Sequence, residues 1–186
     1  LFTSDFGVNS KNLLHECTLR MEKRGSKKPK NEIQWYKNLY KNNYKKFNEF
    51  IYFITELSKD KETPKIIIRP HPAEDHSVWH EIGKNLSNIE IIYEGDVSPW
   101  LLASEGLLHR GCTSAIEALF SKKKIGFLSN FSAESENQIL KNISENITDI
   151  GSLKSWFKDT NKLSIENPDI YALVKKHVIL SNKTAA

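Results

Sequence analysis

The sequence has few cysteines and no long apolar run. Only Cys17 and Cys112 occur among the 186 residues, too few for the disulfide framework that holds many small secreted domains together. No stretch approaches the ~20 consecutive apolar residues of a membrane-spanning helix, and the first residues lack the basic and apolar regions of a signal peptide. We therefore expect a cytoplasmic protein whose only membrane contact would be peripheral.

Methionine is nearly absent, and the chain does not begin with it. The single methionine is Met21, so the sequence is expected to be a segment of a longer protein. Hydrophobic residues make up 39% and charged residues 27%, a balance that favours a folded domain with its own core over a disordered chain.

Positive charge is modest overall but concentrated in one segment. The net charge is +4, and Lys and Arg are densest between Arg20 and Lys30. Because Gly25 and Pro29 interrupt this segment, it is expected to be a solvated surface loop. The alternative is peripheral contact of the basic segment 20–30 with anionic lipid or a polyanionic glycan. Nucleic acid is not expected, because no aromatic side chain interleaves with the cluster as a stacking platform requires.

Apolar runs of strand length alternate with segments of helical periodicity. Strands are predicted at 1–3, 65–69, 89–93, 107–109 and 125–128. Helices are predicted at 31–57, 75–86, near 98–100, and at 114–120, 134–146, 152–158 and 168–178. This alternation predicts an α/β fold with a doubly wound parallel sheet over 1–150 and a C-terminal helical extension, 151–186, packing on it. Such sheets bind ligands at the carboxyl ends of their strands.

A first polar cluster ends the strand predicted at 65–69. It contains Arg69, His71 and Glu74, and two prolines stiffen the turn. An imidazole held in one direction can donate a hydrogen bond to a phosphate oxygen, and a guanidinium adds a permanent charge. Alternatively, the prolines only end the strand and Arg69 pairs with a nearby carboxylate.

A second polar cluster leads from the fourth predicted strand into the helix after it. Gly111 allows close approach of the backbone, while Thr113 and Ser114 offer hydroxyl donors beside the helix N-terminus. Glu117 lies one turn further on roughly the same face, where a carboxylate can accept hydrogen bonds from two ribose hydroxyls. The alternative is a capping box in which Ser114 and Glu117 only satisfy the helix end.

Both clusters lie where a doubly wound sheet binds its ligand, so together they predict a nucleotide site. The segment 93–100, which includes Ser98, follows the intervening strand and is expected to form a wall for the base. Neither a Gly-x-Gly-x-x-Gly nor a Walker pattern is present. His76 and His80 are spaced for a metal but have no third ligand at metal spacing, so no metal site is predicted.

The two clusters resemble motifs of a known family. The run Ile67-Ile68-Arg69-Pro70-His71-Pro72 resembles the HP motif of bacterial sialyltransferases and capsule Kdo transferases, which use CMP-activated sugars. The run 109–118 resembles their Ser/Thr motif and is similar to the Gly-Thr-x-x-x-Glu pattern of GT-B glycosyltransferases. With Trp79 and the turn 98–100, the sequence looks closest to the bacterial surface carbohydrate (capsule and lipopolysaccharide) biosynthesis proteins. The resemblance covers 1–128.

The resemblance implies the C-terminal, donor-binding half of a GT-B glycosyltransferase, built on a Rossmann-like sheet. It places His71, Thr113 and Ser114 on the donor phosphate and Glu117 on the ribose. The full set of expected donor-binding residues is Arg69, His71, Glu74, Ser98, Gly111, Thr113, Ser114 and Glu117. No cofactor is implied, and the catalytic base is unassigned because Glu94-Gly95-Asp96 does not match the acidic motif of the sialyltransferases.

The expected reaction is transfer of Kdo or another nonulosonic acid from a CMP-sugar to a glycan or lipid-linked glycan, in the cytoplasm or peripherally at the inner membrane. His71 would stabilise the phosphate of the departing CMP. The resemblance implies that the N-terminal domain, which binds the acceptor in GT-B enzymes, is not part of this sequence. Two alternatives stay open: a UDP-sugar transferase or epimerase-like enzyme, and a non-catalytic nucleotide-binding or scaffold domain.

Overall fold

A six-stranded, all-parallel sheet with helices on both faces forms the centre of the protein. The computed structural model describes residues 1–24, 29–132 and 138–159. The strands are β1 (Phe2–Thr3), β2 (Ile66–Arg69), β3 (Ile89–Ile91), β4 (Gly106–His109), β5 (Lys124–Leu128) and β6 (Glu145–Ile147). The helices are α1 (Lys11–Arg24), α2 (Lys30–Ser58), α3 (His76–Gly83), α4 (Val97–Ala103), α5 (Ser114–Phe120), α6 (Gln138–Asn142) and α7 (Ile150–Lys158), with a 3-10 turn at Ser129–Phe131.

The strand order is β3-β2-β1-β4-β5-β6, and every neighbouring pair is parallel. This arrangement is Rossmann-like. The chain winds outward from β1 to β3 and then returns to the other side of β1, so the direction of winding reverses between β1 and β4. Ligands of such sheets bind at this reversal, at the carboxyl ends of the strands. The predicted α/β class and parallel sheet are confirmed.

The core has one cluster on each face of the sheet. An aromatic cluster lies under α2, where Phe50 stacks on Phe2 with ring centroids 4.7 Å apart and Phe47 meets Trp79 edge to face at 5.2 Å. An aliphatic cluster lies under α4 and α5 and includes Leu101, Leu107 and Ile125. The near-continuous apolar runs of the inner strands are needed because both faces of the sheet are covered.

The first part of the chain is more helical than predicted. The interpretation of segment 20–30 as a surface loop is wrong over Arg20–Arg24, which forms the last turns of α1, and Lys30 begins α2. Lys, Arg, Glu, Leu and Met all favour helices, and α1 also packs against α2. Residues 25–28 lie outside the described part of the chain.

The segment predicted as one helix at 134–146 contains a strand instead. The described part of it forms the short helix α6, and Glu145–Ile147 then pairs with β5 as the edge strand β6. The local sequence Glu-Asn-Ile has no pattern typical of a strand. This segment becomes a strand through its hydrogen bonds to β5.

The last described helix, α7, confirms the prediction at 152–158 and belongs to the same core as the sheet. Leu153 and Trp156 are buried in the aromatic cluster. The rest of the predicted extension, including the helix predicted at 168–178, lies outside the described residues.

Substitution of Gly126 by alanine is expected to cost about 1–3 kcal/mol of unfolding free energy, because the core there has no room for a methyl group. A Cβ on Gly126 would lie 2.8 Å from Leu108 Cδ2 and 3.2 Å from Trp156 Cε2. Chemical denaturation measures the change. In the control Gly83→Ala, the nearest atom is the end of the flexible Ile91 side chain at 3.1 Å, so a smaller loss is expected. Equal losses would contradict this account.

Candidate functional site

The loop after β1 is held in place by the buried carboxylate of Glu74. Glu74 Oε1 accepts a hydrogen bond from the backbone N–H of Phe6 at 2.5 Å, and Oε2 accepts from Ser4 Oγ at 2.8 Å and Trp79 Nε1 at 2.5 Å. Burial raises the pKa of Glu74, although the three donors act in the opposite direction. Glu74 was predicted to bind the donor; both of its oxygens are instead occupied by the protein.

A second pair of hydrogen bonds ties the same loop to the start of α3. The side-chain amide of Asn9 donates to the carbonyl of Asp75 at 3.0 Å and accepts from the N–H of Asp75 at 2.8 Å. Asp75 caps α3 by accepting from Ser77 N at 3.1 Å. The loops after β1 and β2 therefore form one rigid unit at the carboxyl edge of the sheet.

Arg69 ends β2 and lies buried below the predicted base-binding segment. Its Nη1 and Nη2 donate to the carbonyl oxygens of Glu94 and Gly95 at 2.8 and 2.7 Å. Among the described residues, no carboxylate pairs with Arg69, so the alternative of a local ion pair is wrong. The guanidinium fixes the loop after β3, and none of the described carboxylates neutralises its positive charge at this edge.

His71 is exposed in the turn that follows β2. Its Nδ1 accepts from the N–H of Ala73 at 3.1 Å, and its carbonyl oxygen lies 3.1 Å from Nε2 of His76. The His76 ring packs against Tyr93 with centroids 4.0 Å apart. Since Nδ1 accepts, Nε2 of His71 carries the hydrogen and is the available donor.

The predicted residues Ser98 and Glu117 meet at the surface. Ser98 Oγ donates to Glu117 Oε2 at 3.0 Å, and both side chains are exposed. The alternative of a capping box is wrong, because the residue at the helix start is Thr113 and its side chain makes no cap hydrogen bond. Glu117 instead connects α5 to α4 across the mouth of the predicted site.

The turn between β4 and α5 requires its glycine. Gly111 has φ of +120°, in the region that L-residues avoid. Thr113 is exposed beside it, whereas Ser114 is buried with its Oγ 3.2 Å from Cys112 Sγ. Of the two hydroxyls predicted to bind phosphate, that of Thr113 faces solvent.

Two buried residues at the end of β4 stabilise this turn. They belong to the run 109–118 but were not among the predicted donor-binding residues. His109 Nδ1 accepts from Gly111 N at 3.1 Å, so its Nε2 donates to Ser144 Oγ at 2.9 Å, and burial lowers the pKa of His109 to about 4. Arg110 lies 4.1 Å above the Phe6 ring and donates to the carbonyls of Asp5 and Phe131. The sequence signal that could have indicated their role is a pair of basic residues directly after the apolar residues of a strand.

A buried hydroxyl for which the described residues offer no hydrogen-bond partner lies where the winding of the sheet reverses. Thr3 ends β1 between Arg69 of β2 and His109 of β4. Its Oγ1 is buried and has no hydrogen-bond partner among the described residues. Because Phe2 packs under α2, alternation along the strand directs Thr3 to the face covered by α4 and α5.

The arrangement places a fixed positive charge, exposed donors and the exposed carboxylate of Glu117 along a single edge of the sheet. Asp5, Glu94 and Asp96 are also exposed on the loops of this edge. The strands carrying the two loops are separated only by β1, about 10 Å in all at the usual strand spacing. No group of three or more His, Cys, Asp or Glu in the described ranges could hold a metal ion. Within the same ranges, no helix is long and apolar enough to cross a membrane.

Comparison with known proteins adds nothing to these observations: no protein-family model, curated protein or solved structure matches the chain.

Proposed function

We propose that this chain is the donor-binding domain of a glycosyltransferase that uses a nucleotide-activated sugar, with a CMP-sugar as the preferred donor. The observation that carries the proposal is the position of His71, Ser98, Thr113 and Glu117. These four exposed polar side chains follow β2, β3 and β4, at the carboxyl edge where a Rossmann-like sheet binds nucleotides.

The phosphate of the donor would lie between the loops that follow β2 and β4. His71 Nε2 and the Thr113 hydroxyl would supply hydrogen bonds from the two sides. The charge of Arg69, which no carboxylate of the described residues pairs with, lies below. Positive charge held rigidly by backbone carbonyls needs no reorganisation when a phosphate binds or leaves. In this proposal, the same charge would stabilise the phosphate of a departing nucleotide.

Glu117 is the proposed partner of the ribose. Its carboxylate is exposed and already accepts a hydroxyl hydrogen bond from Ser98, which a ribose hydroxyl can replace. The segment 93–100 forms the adjacent wall, with the partly exposed rings of Tyr93 and Trp100 available to a base.

The acceptor is the remaining part of the proposal. A second domain facing this edge would bind a surface glycan or lipid-linked glycan, in keeping with the GT-B resemblance. Alone, the described domain is expected to bind nucleotide without turnover, because the cleft has only one wall.

Calorimetric titration with CMP, CDP, UMP and UDP tests the proposal. Selective binding of CMP is expected, weakened about tenfold by His71→Ala and by Glu117→Ala, because a hydrogen bond to a charged group contributes roughly 1.5 kcal/mol. The matched controls are His80→Ala and Glu81→Ala, which remove the same groups from an exposed part of α3 and should leave affinity unchanged.

The other outcomes separate the alternatives. Preference for UDP would replace the CMP-sugar donor with a UDP-sugar. Binding that the two site variants leave intact would place the nucleotide elsewhere. If none of the four nucleotides binds, the proposal is overturned in favour of a scaffold domain.

A further inference from the structure

The α1–α2 hairpin extends well beyond the sheet. Phe47 and Phe50 of α2 already contact Phe6 and Phe131, which lie past the carboxyl ends of β1 and β5. Residues 30–46 precede these contacts and form about 25 Å of helix at 1.5 Å per residue. None of their side chains is buried, and Met21 is the only buried residue of α1. The hairpin thus stands beside the candidate site as a projection with little contact to the core.

Positive charge is concentrated on this projection. Its described residues, 11–24 and 30–46, contain nine Lys or Arg and three Glu, a net charge of +6 against +4 for the whole chain. Three of the cations form ion pairs, namely Arg20 with Glu16, Lys37 with Glu22 and Lys45 with Glu49. Because the net charge of the hairpin exceeds that of the whole chain, the remaining residues together are slightly acidic. The hairpin is therefore the part that attracts an anionic partner.

One side of α2 combines cations with exposed aromatic rings. The exposed residues recur at intervals of three and four, which places them on one side of the helix. We call this side the outer stripe: Asn31, Gln34, Trp35, Asn38, Lys41, Asn42, Lys45, Asn48, Glu49 and Tyr52. Trp35 is 56% exposed and Tyr52 is 69% exposed, the two most exposed aromatic residues of the described chain. Rings of this kind prefer the boundary between water and lipid headgroups.

The chemistry of the charges favours a lipid surface over a shaped anionic ligand. Seven of the nine cations are lysines, which act as point charges and lack the planar fork with which arginine recognises individual phosphates. A diffuse anionic surface needs only point charges. We propose that the outer stripe of α2, with the lysines of the hairpin, docks the protein on a membrane containing anionic phospholipid. This inference does not depend on the identity of the nucleotide.

Vesicle co-sedimentation of the whole chain tests the docking surface. Binding is expected to vesicles of about 30% phosphatidylglycerol in phosphatidylcholine and to weaken with salt, since the attraction acts within a Debye length. The double substitution Lys41→Gln and Lys45→Gln should weaken it about 30-fold, at about fivefold for each lysine near an anionic surface. Trp35→Ala should weaken vesicle binding about tenfold, because the ring that is buried in the lipid on binding is lost.

The matched control neutralises two lysines at the opposite, amino edge of the sheet. Lys61→Gln with Lys84→Gln makes the same change in net charge and should leave vesicle binding unchanged. Far-UV circular dichroism of each variant shows whether α2 is intact. Equal binding to pure phosphatidylcholine vesicles, no vesicle binding, or equal losses in both double variants would overturn the inference. Tighter binding to heparin or to poly(U) than to vesicles would replace the membrane with a glycan or a nucleic acid.

Discussion

Glu74→Ala is expected to lower the free energy of unfolding by about 3–5 kcal/mol, one of the two largest effects predicted for this protein. The substitution leaves the buried Ser4 hydroxyl, the Phe6 N–H and the Trp79 indole N–H without an acceptor. Each unsatisfied buried donor costs about 1–3 kcal/mol, and the loss is shared because water can enter the cavity. Urea denaturation followed by tryptophan fluorescence measures the change.

Two further variants serve as comparisons for Glu74→Ala. Glu74→Gln keeps the shape but turns an amide group toward at least one donor, so an intermediate loss is expected. Glu81→Ala removes an exposed carboxylate paired with Lys84 at 2.6 Å, and its change should stay within about 0.5 kcal/mol. A loss below 1 kcal/mol for Glu74→Ala would show that the loop after β1 does not depend on this carboxylate.

His109 is expected to make the protein sensitive to mild acid. Its pKa is lowered from 6.5 to about 4 by burial, so between these values the unfolded chain binds a proton that the folded protein excludes. Stability from this group is therefore fully present above pH 6.5 and is lost as the pH falls toward 4. The loss amounts to about 3 kcal/mol, at 1.36 kcal/mol for each unit of pKa.

The contribution of His109 is obtained by difference. Burial raises the pKa of Glu74, so the contribution of Glu74 to stability falls as the pH rises. This range of pH overlaps the range in which His109 titrates, so the measured dependence of stability on pH combines two opposite effects. Denaturation of the wild type and of His109→Gln from pH 4 to pH 7.5 isolates the histidine. The two curves should converge toward pH 4, and parallel curves would contradict the prediction. His80→Gln, at an exposed position, controls for the substitution itself.

Both predictions concern groups that hold the candidate site rather than groups that face it. Glu74 fixes the loop after β1, and His109 fixes the turn at Gly111. If the proposed nucleotide site is correct, loosening either loop should weaken CMP binding as well as stability, since the binding groups lie on loops that these residues position.

Local patterns were sufficient for much of the fold. Five of the six strands and the helices α2, α3, α4, α5 and α7 lie where runs of apolar residues, helical periodicity and turn residues predict them. The failures have physical causes. Strand β6 exists because β5 offers a free edge, and α1 forms against α2, so neither depends on its own segment alone.

The candidate site divides in the same way. His71, Ser98, Thr113 and Glu117 are exposed at the predicted edge, but Arg69 and Glu74 point their polar groups into the protein. A charged side chain after a strand looks the same in sequence whether it binds a ligand or supports a loop. The role of such a side chain depends on its hydrogen-bond partners, which can be distant in sequence. Ser4, which donates to Glu74, is 70 residues away from it along the chain.

The sequence by itself determined an α/β chain whose polar clusters follow the strands, because alternation, periodicity and turn chemistry are properties of short segments. Only the tertiary structure decided the strand order, the reversal of winding between β1 and β4, and the projection of a basic hairpin past the sheet. It also decided which polar groups are committed to the protein and which remain exposed, because burial and hydrogen bonding depend on residues that are distant in the chain and meet only when it folds.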